Sequence, residues 1–256
     1  MCLIVFAFEY HPKYRLVMAA NRDEYFPRPT LPAGYWPDNP SILAGRDLQS
    51  GGTWMGVTTT GRLAAVTNYR DPEWHVQNSL SRGLLVTDYL KGRIPPAEFL
   101  EYLKVRGNRY KGFNLLFGDS FGMFFYSNRS DTENVISPGI HGLSNHLLDT
   151  PWPKVTSAKE RLEALLIKDT EEPEEYFAAL ADGTPFPDDV LPDTGVGIKR
   201  ERLLSSIFVN SRTYGTRFST LIFIDRTNRL RFIERSHGPQ RSSNTTTEYK
   251  IMLQPS

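Results

Sequence analysis

Two apolar runs at the start of the chain constrain the fold most. Residues 2–9, CLIVFAFE, are apolar at every position but the last, and residues 14–20, YRLVMAA, look similar. HPK between them is a turn signal, so the pair reads as a β-hairpin. A strand that is apolar on both faces belongs in a sheet covered on both faces.

The same hairpin carries the first sign of chemistry. Its second strand runs into Asn21, Arg22, Asp23 and Glu24, a dense polar tetrad. If residues 10–13 form the turn, Cys2 pairs with Asn21; if Pro12 and Lys13 form a two-residue turn, Cys2 pairs with Asp23. Either register sets the tetrad beside the one cysteine of the chain. A cysteine at position 2 is small enough for methionine aminopeptidase to remove Met1. One residue would then hold a thiol and a free α-amine. Such an amine titrates near about 7.7–8.0, a useful range for a general base. A thiol carrying its own base is an activated nucleophile. The Arg22 cation favours a thiolate, and the Asp23 carboxylate can hold the amine by hydrogen bonding. The competing reading is plain: lone cysteines are commonly small buried hydrophobes, and strand ends often carry charge.

Further strands are expected at 53–58, 62–68, 113–118, 122–127, 218–224 and 229–235. Helices are expected at 79–91, 96–105, 154–167 and 173–182. In the third helix Val155, Ala158, Leu162, Leu165 and Leu166 recur at helical spacing. Pro96 and Pro173 stand where a helix can begin. Strands, helices, strands, helices and strands follow in order, and hairpins outnumber βαβ units. That pattern predicts an α+β fold of mostly antiparallel sheets with helices outside. Residues 1–256 read as one domain. The stretch 183–200 reads as a surface excursion, and the polar tail, 236–256, as loosely held.

Composition excludes several classes. The 256 residues are 39% hydrophobic, enough for a sizeable core. Thirty basic against 29 acidic residues give a net charge of +1, with no basic stripe for nucleic acid. A single cysteine rules out an internal disulfide and fits a reducing compartment. The first residues lack a basic segment and a cleavage site, so they are not a signal peptide. No apolar run reaches the roughly 20 residues of a spanning helix. The expectation is a cytoplasmic protein with no membrane span. There is no C-x-x-C, H-E-x-x-H, P-loop, G-x-G-x-x-G or G-x-S-x-G, so no metal or cofactor is expected. Of His11, His75, His141, His146 and His237, only His141 and His146 form a pair of interest. They flank Asn145 five residues apart and are weak metal candidates.

Beyond NRDE at 21–24, the chain contains GGTWMGV at 51–57, TNYRDP at 67–72, SRGLLV at 81–86 and FNLLFGD at 113–119. GLSNHLLDTPWPK at 142–154 and YGTRFST at 214–220 complete an ordered set. Together these resemble the NRDE family, which includes the transport and Golgi organisation protein 2 homologues. That family in turn resembles the cysteine-type N-terminal nucleophile hydrolases, among them bile salt hydrolases and penicillin V acylases. The resemblance implies a four-layer α/β/β/α sandwich with Cys2 as nucleophile, assisted by Arg22 and Asp23. Leu143-Ser144-Asn145 resembles the clan's oxyanion-hole context, which implies that Asn145 is an oxyanion donor, and Arg217 resembles a late arginine of the clan. Asn68, after a strand, is the candidate for a further amide. The Arg22–Asp23 spacing is tighter than in the clan.

Each of these residues has an ordinary reading as well. Asn68 and Asn145 suit local turns. Arg217 suits a surface or structural ion pair, and Trp54 suits the core. The function expected is hydrolysis of a non-peptide C–N bond in a small-molecule amide or acyl-type ligand. The alternative is a non-catalytic carrier of haem or acyl lipid, since relatives are linked to haem trafficking and acyl-lipid metabolism. No haem-ligand motif supports it, and Cys2 or a lone histidine would have to ligate the iron.

Overall fold

The computed structural model describes residues 2–74, 76–130, 134–239 and 244–254. Met1, whose removal the sequence argument invokes, and His75 lie outside the described residues. Six strands come first: β1 (Cys2–Phe8), β2 (Tyr14–Tyr25), β3 (Thr30–Trp36), β4 (Asn39–Asp47), β5 (Met55–Thr58) and β6 (Leu63–Asn68). Then come α1 (Gly83–Lys91), α2 (Pro96–Arg106), β7 (Phe113–Gly118), β8 (Met123–Ser127), β9 (Asn134–Val135) and β10 (Gly139–Leu143). Three helices follow, α3 (Pro153–Lys168), α4 (Pro173–Leu180) and α5 (Ile198–Ser205). The last strands are β11 (Tyr214–Asp225), β12 (Arg229–His237) and β13 (Asn244–Met252).

These elements group into two compact units. The first comprises Met1–Pro27, Ser137–Ser144 and Leu148–Ile251; the second comprises Arg28–Ile136, Asn145–Leu147 and Met252–Ser256. In the first unit the strands run in the order β10-β1-β2-β11-β12-β13. One face of this sheet packs on α3 and α4. Leu3, Val5, Val17, Ala19, Leu221 and Phe223 meet Val155, Ala158, Leu162, Leu166, Phe177 and Leu180 in a single core. The i, i+3, i+7, i+11 spacing along α3 is what turns those four side chains to the sheet. Pro153 and Pro173 occupy the first turns of α3 and α4, where a missing N–H costs nothing.

In the second unit the order β3-β4-β5-β6-β7-β8-β9 follows the chain, a meander. Helices α1 and α2 bury Tyr89, Phe99 and Leu103 with Phe113, Leu115 and Phe117 of β7. The GG of residues 51–52 belongs to this packing. A Cβ on Gly52 would lie 2.5 Å from the carbonyl carbon of Gly83, at the start of α1.

Two expectations are corrected, and three elements were not anticipated. The first hairpin takes neither anticipated register: Phe8 pairs with Leu16, and Cys2 with Arg22. Glu9 adopts φ 47° and its N–H meets the Arg15 carbonyl at 2.8 Å, so an odd-numbered loop closes the turn. Within the polar tail, residues 244–252 are not loose but form β13, which lies beside β12 in the sheet. Residues 30–47 form two strands although Pro32, Pro40 and two glycines obscure them. β3 is an edge strand, where proline is tolerated. The excursion at 183–200 ends in a helix, α5, which begins at Ile198.

Candidate active site

Strand alternation splits the NRDE tetrad between two faces. Leu3, Val17 and Ala19 point into the helix-covered core, so Asn21 and Asp23 share that side, while Cys2, Arg22 and Glu24 point the other way. Cys2, Arg22 and Phe218 form one row across β1, β2 and β11.

On the Cys2 side, the thiol is buried. Burial pushes it up; the Asp23 and Glu24 charges add to that rise, and Arg22 opposes it. The resting group is therefore a thiol rather than a ready thiolate. Arg22 is only 6% exposed. Its Nη2 lies 3.6 Å from Glu24 Oε2, and its Nη1 is buried with no hydrogen-bond partner among the described residues. Arg217 sits inside β11 rather than ahead of it, at a bulge between Thr216 and Phe218. It is half-buried, and its guanidinium is pulled down by desolvation and by the like charge of Arg22. Both guanidiniums flank the Phe218 ring, at 6.0 and 5.7 Å from its centroid.

On the helix side, Asn21 is fully buried and its amide is fully committed. Nδ2 donates to the carbonyls of Leu180 and Ile207, both at 2.9 Å, and Oδ1 accepts from Ser219 Oγ at 2.6 Å. Asp23 accepts from Thr216 Oγ1 at 2.7 Å. Thr216 is itself clamped by Val209, whose N–H donates to Oγ1 at 3.0 Å and whose carbonyl accepts the Thr216 N–H at 2.8 Å. Burial raises the Asp23 carboxyl on balance, against the N-terminal charge, Lys154, the Thr216 hydroxyl and Arg22, which pull it down. Ser144 Oγ donates to the Cys2 carbonyl at 3.0 Å and fixes the backbone there.

Asn68 and Asn145 belong to the second unit. They touch, but through the backbone of Asn68: Asn145 Nδ2 donates to its carbonyl at 3.0 Å. Asn145 is buried, its carbonyl accepts from the Arg70 N–H at 2.7 Å, and its Oδ1 lies 3.4 Å from Arg70 Nη2. Asn114 Nδ2 ties the His146 carbonyl and the Thr67 hydroxyl at 2.8 and 3.1 Å.

The two histidines flanking Asn145 have separate partners. His141 Nδ1 meets Asp149 at 2.7 Å, and His146 Nε2 meets the Tyr69 hydroxyl at 2.8 Å. Among the described residues no cluster of His, Cys, Asp or Glu could hold a metal. Sequence reasoning missed Thr216, Ser219 and Lys154. The first two lie in the YGTRFST stretch, where their hydroxyls looked like ordinary strand residues. Lys154 closes GLSNHLLDTPWPK, and nothing in sequence shows that its ammonium is buried.

The family model for transport and Golgi organisation 2 matches residues 1–239. The homologues of that protein from Bos taurus and Homo sapiens are each 36% identical to this chain. The alignments span 98% and 99% of it, and 99% and 100% of those proteins. The chain belongs to the transport and Golgi organisation 2 family. The family extends to Drosophila melanogaster, whose protein is 28% identical over 91% of both chains. Among solved structures, the mutant C2A conjugated bile acid hydrolase from Clostridium perfringens superposes with a TM-score of 0.52. The match is 10% identical and covers 96% of this chain and 92% of that one. That likeness shows the fold: α+β, with antiparallel sheets, of the N-terminal nucleophile hydrolase type. Among the described residues no helix is long and apolar enough to cross a membrane.

Proposed function

We propose that this chain is an N-terminal cysteine amidohydrolase that cleaves a non-peptide C–N bond of a small acyl amide. The observation that carries the proposal is the cross-strand register that sets the buried Cys2 opposite Arg22, whose buried Nη1 has no hydrogen-bond partner among the described residues. An unpaired buried donor costs about 1–3 kcal/mol, and a ligand oxygen would relieve it.

The raised thiol explains why an attached base is needed. With Met1 removed, the α-amine of Cys2 takes the thiol proton as Sγ attacks the acyl carbon. The carbonyl oxygen becomes an oxyanion. The C–N bond breaks as the protonated amine returns its proton to the leaving nitrogen, leaving a thioester. Water, deprotonated by the same amine, cleaves the thioester and restores the thiol. Arg22 and Arg217 supply positive charge, and Asp23 anchors the amine. Asn145, with Asn68, enters as oxyanion donor on the family resemblance alone; losing such a donor costs about 2.7–4 kcal/mol of barrier. The lone thiol suits a reducing, cytoplasmic setting.

Cys2→Ala should abolish turnover of an acyl-amide library while the melting temperature holds, and Cys2→Ser should leave a trace at most. Full activity in Cys2→Ala protein would sink the enzyme reading. Haem or acyl-lipid binding that survives in the same variant, without cleavage in the wild type, would favour the carrier.

A further inference from the structure

Each sheet ends in two edge strands, and an unpaired edge is a template for another chain unless something blunts it. Among the described residues, three of the four edges are blunted. β3 carries Pro32 and two breaks of register against β4. β9 is two residues long. β10 is covered: the Asp149 N–H donates to the Gly142 carbonyl at 2.8 Å, and the Gly142 N–H donates to Asp149 Oδ1 at 2.9 Å. β13 is the exception. Among the described strands its one neighbour is β12. It runs for nine residues, NTTTEYKIM, without proline or glycine, and seven of the nine are exposed.

Charge is the remaining guard of an edge, and here it is arranged to attract a copy rather than repel it. Arg231 Nε donates to Glu248 at 2.8 Å, and Arg235 Nε donates to Thr246 at 2.9 Å. Arg231 and Arg235 alternate in step with Ile233, which faces α3 and α4. Thr246, Glu248 and Lys250 therefore share the helix-covered face. Glu248 and Lys250 are opposite charges two residues apart. If a second copy of the strand runs antiparallel with Tyr249 opposite Tyr249, each Glu248 faces the partner's Lys250. Moving the centre to Glu248 or to Lys250 sets like charge against like.

We propose that β13 is a dimerisation edge: two copies of this chain pair antiparallel through it, centred on Tyr249, and join their six-stranded sheets into one continuous sheet. The contact is isologous, so the Glu248–Lys250 attraction occurs twice. Side chains directly opposite across strands sit about 4.5–5.5 Å apart, closer than the roughly 6.8 Å between i and i+2 of one strand. The Lys250 side chain is 73% exposed and its Nζ lies 3.8 Å from Glu248 of its own strand. The partner's carboxylate falls within reach of the same ammonium. The proposal does not rest on the Cys2 reading.

Sedimentation velocity of the untagged full-length chain, from micromolar to near-millimolar concentration at low salt, tests it. A dimer that grows with concentration is expected. Lys250→Glu and Glu248→Lys should each weaken it about tenfold or more, because both cross-strand pairs turn repulsive. Mixing the two variants should restore a heterodimer, since the two changed strands complement each other. In a Cys2→Ala background, Tyr249→Cys should be joined to its copy by a short bismaleimide. Thr245→Cys, set about 27 Å from its own counterpart in this register, should not. Lys250→Glu alters an exposed side chain and the crosslink changes no charge, so both arms stand should Glu248→Lys fail to fold. A monomer at every concentration overturns the proposal. So does a dimer that Lys250→Glu leaves intact, a mixture of the two folded variants that stays monomeric, or crosslinking of Thr245→Cys equal to that of Tyr249→Cys.

Discussion

Asn21 opens the NRDE tetrad, yet its geometry is that of a clamp rather than a reagent. Its amide bridges the last turn of α4, through Leu180, and the segment at Ile207, and it receives the Ser219 hydroxyl. Leu180 is the final residue of α4, where carbonyls lack intrahelical partners. Asn21→Leu keeps the bulk and removes every polar contact. It strands two buried carbonyls, each worth about 1–3 kcal/mol, while the Ser219 hydroxyl can turn to His237 Nε2, 2.9 Å away. The expected loss is about 3–4 kcal/mol, or about 10 °C in melting temperature for a chain of this size. Urea and thermal unfolding measure it directly. Asn21→Asp should be at least as damaging near neutral pH, since a carboxylate would face two carbonyls, and should recover partly in acid as the carboxyl gains a proton to donate. A loss below about 1 kcal/mol in Asn21→Leu would refute the clamp and return Asn21 to the list of chemical groups.

Arg22→Met should slow Cys2 alkylation at neutral pH, because the cation that favours the thiolate is gone. Stability should stay level or rise by up to about 2 kcal/mol in urea unfolding, since a buried, incompletely paired charge is removed. Gly52→Ala should destabilise by about 1–3 kcal/mol, as its methyl would drive into the Gly83 backbone; a neutral result would mean that the turn and α1 separate easily. The His141–Asp149 pair should leave two pH signatures. The hydrogen bond to Asp149 raises His141, so its contribution is full below the unfolded value and fades as pH climbs through the raised folded one. Burial opposes the ionisation of Asp149, but His141 and Lys159 hold it down at about 2, so its contribution is present above the unfolded carboxylate value and is lost as pH falls towards that number. Asp149→Asn should therefore be least stable relative to wild type around pH 4–6, with the gap closing in acid; a gap independent of pH would contradict the pairing.

Much of the fold was legible because the apolar patterns were strong. β1 and β2 declared themselves by unbroken apolar runs, and α3 by its spacing. β3 and β4 were hidden because prolines and glycines, which usually mark loops, sit on an edge strand and its neighbour. β13 was hidden because its row of threonines is exposed and reads as tail. The site was legible in part. Cys2 beside the NRDE tetrad followed from either anticipated hairpin, but one residue of register decides which of Arg22 and Asp23 shares its face. That depended on a left-handed Glu9 in the loop, which sequence does not announce. Thr216 comes from a strand 193 residues away from Asp23, so only tertiary packing brings its hydroxyl to that carboxylate.

The central claim is that Cys2 is the chain's reactive N-terminus. The intact mass of protein purified without an N-terminal tag tests it most directly, before and after incubation with a reactive acyl amide. The account predicts a mass lacking one methionine, then an added acyl group that vanishes in Cys2→Ala protein. A retained methionine would block the amine in a peptide bond and contradict the account.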